Sequence, residues 1–197
     1  MRRLLCLFLM SSLLGCGRGD STPPTPGDDR SKGNAEITPD MLTLDFVDST
    51  GQPVDLRKYK GKTNVLLVFT RGYPGYICPY CNAQVARLSA NYKEFEKRDT
   101  EVVVVFPGPT EHVEDFIRSA SKSAEMDKLP FPILLDKDFQ AVDKLHIRGD
   151  LAKPSTYILD KQGRIRYAYV GATRTDRPSV DDMLKQLDAI NESSTGS

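Results

Sequence analysis

The chain has 197 residues, in which 27 Lys and Arg balance 27 Asp and Glu, so its formal net charge is zero. Neither sign clusters along the sequence, which excludes the basic stripe typical of a nucleic-acid-binding domain. The stretch from about residue 37 to residue 190 has the length of one ordinary domain, with enough chain to bury a core.

The chain begins with the pattern of an export signal. Arg2 and Arg3 precede an apolar segment at residues 4–14, which is too short to span a bilayer but has the size of a signal-peptide core. The segment ends in L-L-G-C, which resembles the lipobox of bacterial lipoproteins, with Cys16 as the lipidated residue. The alternative is an ordinary cleavable signal in which this cysteine is incidental. We favour lipidation because residues 17–36 have the composition of a flexible linker.

These shifts in composition predict the domain boundaries and the cellular location of the protein. The anchor implies a lipid-anchored protein of the bacterial cell envelope. Gly17 after the cysteine, in place of an acidic residue, resembles lipoproteins of the outer membrane that face the periplasm. The predicted segments are a lipoprotein signal peptide at residues 1–15, the lipidated cysteine and linker at 16–36, a folded domain at 37–192 and a disordered tail at 193–197.

The order of hydrophobic patterns in the domain predicts an α/β fold with a central mixed β-sheet flanked by helices. Leu42, Leu44 and Phe46 alternate with polar residues ahead of Val54, which predicts an N-terminal β-hairpin. Continuous apolar runs predict buried strands at 64–69 and 101–106. The other expected elements are a helix at about 79–98, a helix capped by Thr110, a strand at 133–135, a short helix after Asp136, a hairpin of strands 155–159 and 165–170, and a last helix at about 179–191.

Cys78 and Cys81 form a C-P-Y-C motif at the junction between the strand at 64–69 and the helix that follows. A thiol at a helix start is favoured as a thiolate by unpaired N–H groups and by the helix dipole. Pro79 suits the first helical position. A right-handed crossover to the next strand places the pair at the carboxyl end of a central strand, where α/β sheets bind ligands. We expect Cys78 to be the attacking thiolate and Cys81 the more sheltered resolving thiol.

A C-x-x-C pair also occurs in zinc sites and in inert disulfides. A zinc site needs a second pair of ligands, and beyond its cysteines the chain offers only His112 and His146, which do not form a doublet. A disulfide that closes a two-residue loop removes little chain entropy, so it stabilises little. Cys6 would leave with the signal and Cys16 would carry the lipid, so no third thiol competes. We therefore interpret the pair as redox-active, and we expect no metal and no cofactor.

Three segments in order carry a resemblance to a known family. They are G-Q-P-V-D-L-R-K-Y-K-G-K-T-N-V-L-L-V-F at residues 51–69, R-G followed by C-P-Y-C-N-A-Q-V-A-R-L within 71–88, and P-S-T-Y-I-L-D with a later glycine at 154–163. They resemble thioredoxin-fold redoxins of the AhpC/TSA, or peroxiredoxin-like, family. The resemblance implies a thioredoxin-like fold and a cycle of Cys78 and Cys81 between dithiol and disulfide. The implied partners are an external reductant or thioredoxin-like electron donor, and a disulfide-bearing protein or a hydroperoxide as substrate.

The chain departs from the pattern P-x-x-x-T-x-x-C of true peroxiredoxins, whose threonine and proline shield and orient the peroxide. Counted back from Cys78, these positions hold Gly75 and Arg71, and the arginine that precedes the closing segment in the family aligns with Pro154. Proline there resembles thioredoxin-like reductases, in which it is cis and leaves a backbone edge open for a substrate chain. The expected activity is therefore thiol–disulfide exchange rather than efficient peroxide reduction. The alternative is a peroxiredoxin-like antioxidant, and Arg71 is either a thiolate stabiliser or a solvated loop residue.

Further alternatives stay open. Tyr73, Tyr76 and Tyr80 either line a substrate groove or pack. Copper-handling proteins of the Sco type place two cysteines and a distant histidine on the same fold, and His146 is the candidate here, although their cysteine spacing is one residue longer. The domain could also be enzymatically idle and only bind a partner. The membrane is expected as a partner through the lipid anchor alone.

Overall fold

The apolar runs of the sequence form a seven-stranded mixed sheet at the centre of the fold. The structure, a computed structural model, describes residues 40–195. The order across the sheet is the second, first, fifth, fourth, third, sixth and seventh strand of the chain. These strands are β1 (Phe46–Val47), β2 (Pro53–Val54), β3 (Asn64–Phe69), β4 (Thr100–Pro107), β5 (Ile133–Asp136), β6 (Ser155–Leu159) and β7 (Ile165–Val170).

The middle of the sheet is parallel and its two sides are antiparallel. β3 pairs in parallel with β4, and β4 with β5, whereas β6 lies antiparallel to β3 on its other side. Parallel neighbours need long crossover connections, and helices supply them here. Every residue of β3 is buried, as its apolar run predicts. Because β3 is central, the loop after Phe69 emerges in the middle of the carboxyl edge of the sheet, which confirms the predicted position of the cysteine motif.

Helices cover the sheet, and the predicted arrangement of a mixed sheet between helices is confirmed. The hairpin of β6 and β7 has its predicted bounds. Within residues 40–195, each helix is too short or too polar to cross a bilayer. The helices are α1 (Pro79–Ala90), α2 (Tyr92–Glu96), α3 (Val113–Ser123), α4 (Gln140–Lys144) and α5 (Val180–Thr195), with short 3-10 turns at Met41–Thr43, Leu56–Tyr59, Thr110–His112 and Lys137–Phe139.

The single helix predicted at about 79–98 is wrong, because the chain breaks it at Asn91. This residue has φ of −110° and ψ of 13°, outside the helical range, and it separates α1 from α2. Its side-chain amide donates to the carbonyl of Arg87 at 2.9 Å. Asparagine side chains compete with backbone groups for such hydrogen bonds, which is why they favour helix ends.

Three other local expectations need correction. Leu42 lies in a 3-10 turn rather than a strand, because the carboxylate of Asp40 accepts its N–H at 3.0 Å and starts the turn. Thr110 does not cap α3. It begins a 3-10 turn instead, and no side chain caps either the turn or α3. The last helix continues to Thr195, so it includes the first residues of the predicted disordered tail.

Alternate residues of β3 divide the core into two layers. Leu66 and Val68 belong to the layer that packs against α1, α3 and α5. Val65, Leu67 and Phe69 belong to the layer on the opposite face, which includes residues of the N-terminal segment and α4. Both cysteines of the C-P-Y-C motif are buried in the first layer. The predicted signal peptide, lipidated Cys16 and linker lie outside the described residues.

Gly72 and Gly75 provide a matched test of how the cysteine loop is held. Both have φ near +90°, where side chains are strained. A Cβ on Gly72 would lie 2.2 Å from the carbonyl oxygen of Pro107, whereas one on Gly75 would meet no atom within 4 Å. We expect Gly75→Ala to cost about 1 kcal/mol of unfolding free energy and Gly72→Ala to cost clearly more, because the end of β4 must move. Urea denaturation measures both, and equal losses would contradict this packing.

Candidate active site

Cys78 occupies the N-cap position of α1, directly after the loop that leaves β3. Pro79 follows as the first helical residue, as predicted. The carbonyl of Cys78 accepts the N–H groups of Cys81 and Asn82, each at 3.1 Å. The first helical turn therefore folds over Cys78, and the side chains of the two cysteines are hydrogen-bonded to each other.

Both cysteines are free thiols and both are buried. Cys78 exposes 4% of its surface and Cys81 exposes 1%. Cys78 is thus the more accessible of the two, as predicted, but it is covered rather than open to solvent. Such burial favours a small reactant over a disulfide held on the surface of a folded protein.

The two sulfurs share one proton. The Cys81 thiol donates a hydrogen bond to Cys78, and the N–H of Cys81, the charge of Arg177 and the N–H of Tyr80 add to it. Against the effect of burial, these contacts lower the pKa of Cys78 to about 6. The same hydrogen bond, together with burial and the negative charge of Cys78, raises the pKa of Cys81. At neutral pH the pair therefore consists of a Cys78 thiolate and a protonated Cys81.

Arg177, just before α5, contacts the cysteine pair from a distant part of the chain. Its Nη2 lies 3.4 Å from Sγ of Cys81. Its Nε donates to Oε1 of Gln84 at 2.7 Å, and its Nη1 donates to the carbonyl of Arg174. No ion pair among the residues that the structure describes includes Arg177. Its positive charge favours the thiolate of either sulfur and also the carboxylate of the neighbouring Asp176.

The segment between β7 and α5, residues 171–179, holds Arg177 in place and is called the strap below. The hydroxyl of Tyr169 donates to the carboxylate of Asp176, which also accepts the N–H of Ala172 at 2.8 Å. A Cβ on Gly171 would lie 2.3 Å from the carbonyl oxygen of Asp176, so only glycine allows this approach. The residue before Arg177 is thus fixed to the end of β7.

The prediction of a cis Pro154 is wrong, because the Lys153–Pro154 bond is trans. The N–H of Lys153 donates to Ile147 at 2.8 Å, and its carbonyl accepts the hydroxyl of Ser155 at 2.9 Å. The carbonyl of Pro154 accepts the N–H of Gly171 at 2.8 Å. The backbone beside Pro154 is therefore engaged within the domain, and the open edge expected for a substrate chain is absent.

Arg71 contacts the pair through its backbone. Its N–H is hydrogen-bonded to the Cys81 thiol, where it favours the thiolate. The charged side chain that acts on both sulfurs is that of Arg177. A role of the Arg71 side chain as a thiolate stabiliser stays a prediction.

The three loop tyrosines do not share one role. Tyr73 stacks on His112, with ring centroids 3.6 Å apart and an interplanar angle of 20°. Tyr76 and Tyr80 are exposed, at 49% and 41%. The guanidinium of Arg174 lies over the ring of Tyr80, 5.6 Å from its centroid. Tyr76 and Tyr80 therefore stay candidates for substrate contact, whereas Tyr73 packs.

His146, the candidate copper ligand, follows α4 with a φ of +54°, and its N–H donates to the carbonyl of Asp143 at 3.1 Å. In the part of the chain that the structure describes, no three His, Cys, Asp or Glu side chains are grouped as a metal site requires.

No motif in the sequence indicates Arg177. It lies 96 residues from Cys81, in a polar stretch with the composition of a loop. The contact arises because the strap after β7 brings Arg177 to Cys81 in the first turn of α1. The small Gly171 after β7 is the only local sign of this tight turn.

Comparisons with known proteins show which proteins resemble this chain in sequence and in fold. The sequence matches the family model described as the AhpC/TSA family over residues 36–168. It is 31% identical to chloroplastic peroxiredoxin Q of Sedum lineare over 157 residues, which are 78% of this chain and 77% of that protein.

The chain is also similar in structure to two solved proteins. For the mitochondrial 2-cys peroxiredoxin from Plasmodium falciparum the TM-score is 0.64 at 18% identity, with 77% of this chain and 90% of that chain covered. For Xanthomonas campestris peroxiredoxin Q it is 0.58 at 19% identity, covering 76% and 93%. These likenesses confirm the thioredoxin-like fold.

Replacement of Cys81 tests the shared proton. Cys81→Ala removes the donor to the Cys78 sulfur, so the pKa of Cys78 rises from about 6 toward that of an ordinary thiol. Cys81→Ser keeps a hydroxyl donor and leaves this pKa low. The rate of alkylation by iodoacetamide measures it, because only the thiolate reacts and the rate falls as the pH drops through the pKa. Equal midpoints in the two variants would contradict the role of the hydrogen bond.

Proposed function

The chain belongs to the AhpC/TSA family, and we propose that it is a thiol-dependent peroxidase in which Cys78 and Cys81 reduce a hydroperoxide. The observation that carries the proposal is a buried Cys78, with its pKa lowered to about 6, in contact with a second free thiol. A thiolate is the nucleophile in peroxide reduction, and a neighbouring thiol converts the oxidised product to a disulfide. The burial of both sulfurs supports a small oxidant.

The proposed reaction has two steps. The Cys78 thiolate attacks one peroxide oxygen, the O–O bond breaks, and Cys78 becomes a sulfenic acid while the departing alkoxide or hydroxide takes a proton. Cys81 then attacks the sulfur of Cys78, so that the S–S bond forms and water leaves. One peroxide is reduced to an alcohol and water for each dithiol oxidised. An external dithiol, such as a thioredoxin-like electron donor, restores the pair by exchange.

The order of the two sulfurs is the finer part of the proposal. Counted back from Cys81 instead of Cys78, the pattern P-x-x-x-T-x-x-C has its proline at Pro74 and a cysteine at the threonine position. That alignment would make Cys81 the attacking sulfur. We assign the attack to Cys78 because it is the N-cap residue and its contacts lower its pKa, whereas those of Cys81 raise it.

Thiol–disulfide exchange is a second reaction open to the same pair, and the sequence predicts it as the faster one. A low-pKa thiolate with a second thiol beside it has the chemistry for exchange. The engaged backbone beside Pro154 offers no edge for an extended substrate chain, and the buried sulfurs restrict access to a protein disulfide. The preference for exchange stays a prediction that the relative rates decide.

Stopped-flow oxidation of the reduced protein tests the proposal. We expect hydrogen peroxide to oxidise the wild type faster than it oxidises a free thiol of equal pKa, because Arg177 and the helix N–H groups surround the reacting sulfurs with positive potential. Cys81→Ser should accumulate a sulfenic acid on Cys78 that dimedone traps, and Cys78→Ser should form none. A peroxide rate no greater than that of the free thiol, with faster oxidation by a protein disulfide, would establish exchange instead.

We also propose that a lipid on Cys16 tethers the domain to the bacterial envelope, at the outer membrane facing the periplasm. The lipobox-like L-L-G-C and the linker at residues 17–36 support the proposal. We expect Cys16→Ala to move the protein from the membrane fraction to the soluble export fraction with unchanged peroxide reactivity. Cys6→Ala, a change within the signal segment, should leave the protein in the membrane fraction. Membrane retention of Cys16→Ala would contradict the anchor.

A further inference from the structure

The guanidinium of Arg177 contacts Cys81, the resolving cysteine, and the proposed reaction gives this contact no role. It is within hydrogen-bond distance of Cys81, at 3.4 Å, whereas its effect on Cys78 is through charge alone. It forms no ion pair with a carboxylate of the described residues. Because the guanidinium is already in contact with Cys81, it would stabilise a negative charge that forms on that sulfur.

In the resting pair Cys81 is protonated and neutral, so it carries no negative charge for Arg177 to stabilise. Two effects of the Cys78 thiolate keep the proton there, namely the hydrogen bond that Cys81 donates and the repulsion between two negative sulfurs. Oxidation of Cys78 removes its charge and both effects. The groups that still act on Cys81 are then Arg177 and the N–H of Arg71, which favour a thiolate, and burial, which opposes it.

We propose that Arg177 activates Cys81 as the resolving nucleophile once Cys78 has been oxidised. The proposal rests on the order of the two sulfurs in the proposed function. In this step Cys81 releases its proton, its thiolate attacks the sulfur of Cys78, and the S–S bond forms. The group on Cys78 leaves as the old bond breaks: hydroxide departs from a sulfenic acid and becomes water with the released proton, and a thiolate departs from a mixed disulfide. No other oxidant or reductant enters.

The strap suits this role because it fixes the direction of the guanidinium. Three nitrogens of Arg177 have three separate partners, Gln84, Arg174 and Cys81. An ammonium group has no such planar fork, so lysine would keep the charge and lose the geometry. The contact of Tyr169 with Asp176 holds the residue next to Arg177. Tyr169 is thus a positioning residue for Arg177.

The two steps can be separated with the neutral reagent dithiodipyridine, which an arginine does not attract by charge. Attack by one cysteine of the reduced full chain releases a first thiopyridone and leaves a mixed disulfide, and attack by the other cysteine releases a second. Stopped-flow absorbance follows both releases. The Cys81→Ser variant can release only the first thiopyridone, so its trace identifies the first step. The reaction needs no peroxide, so its outcome is independent of whether the protein is a peroxidase.

We expect Arg177→Gln to slow the second release about tenfold at neutral pH, as a change of about one unit in the pKa of the resolving thiol would do, and to slow the first much less. Arg177→Lys should restore part of the rate. Tyr169→Phe keeps the arginine but removes the contact with Asp176 that positions it, and should slow the same release to a smaller degree. Arg118→Gln removes an exposed cation of α3, whose ion pair with Asp115 lies on the surface, and both releases should stay at wild-type rates. With peroxide, Arg177→Gln should accumulate a dimedone-trapped sulfenic acid on Cys78.

Two results would overturn the proposal. One is an unchanged second release in Arg177→Gln, provided that its urea denaturation matches the wild type. If that variant does not fold, the same criterion applies to Arg177→Lys and Tyr169→Phe. The other is a first release slowed more than the second, which would make Cys81 the attacking sulfur. Slow peroxide oxidation of the wild type would instead contradict the proposed function. It would not change what the two thiopyridone releases show about Arg177.

Discussion

One proton held between two buried sulfurs is the interaction on which the chemistry of this site depends. The Cys81 thiol donates it to Cys78, and this hydrogen bond is the largest of the effects that lower the pKa of Cys78. The same bond raises the pKa of Cys81. The pair therefore consists of one nucleophilic thiolate and one protonated resolving thiol, which is the arrangement that a dithiol cycle requires. Burial alone would raise the pKa of both thiols and leave neither reactive at neutral pH.

Two connections at the carboxyl edge of the sheet bring this pair together with its cation. The first leaves β3 and crosses the end of β4 at Gly72, where a side chain would collide with the carbonyl of Pro107. The second leaves β7 at Gly171 and returns as the strap that carries Arg177 to Cys81. Both depend on close backbone contacts that only glycine permits. The site is therefore fixed by the packing of the sheet end rather than by the cysteine motif alone.

Sequence patterns predict those parts of the fold that depend on local chemistry. The apolar run of β3, Pro79 at the helix start and the turn between β6 and β7 have unambiguous signals, and the structure confirms each. Asn91 shows the limit, because a single side-chain hydrogen bond ends a helix that the hydrophobic pattern would continue. Pro154 shows another, because the sequence allows either isomer of its peptide bond and the structure has the trans form.

The sequence does not reveal Arg177 as a residue of the site, because its contact with Cys81 exists only in the folded chain. The two residues are separated by 96 positions, and no periodic pattern of the sequence links them. Family resemblance gives the cysteines and the fold. It does not indicate the cation, because no motif of the sequence marks Arg177, which the structure places on Cys81.

Direct counting of thiolates is the measurement that tests the shared proton most simply. The ultraviolet absorbance of the reduced wild-type protein would be recorded against pH, with the double variant Cys78→Ser and Cys81→Ser as the blank. We expect one equivalent of thiolate to appear with a midpoint near pH 6, and no second equivalent in the range where an ordinary thiol ionises. Two equivalents that ionise together at the pH of ordinary thiols would contradict it.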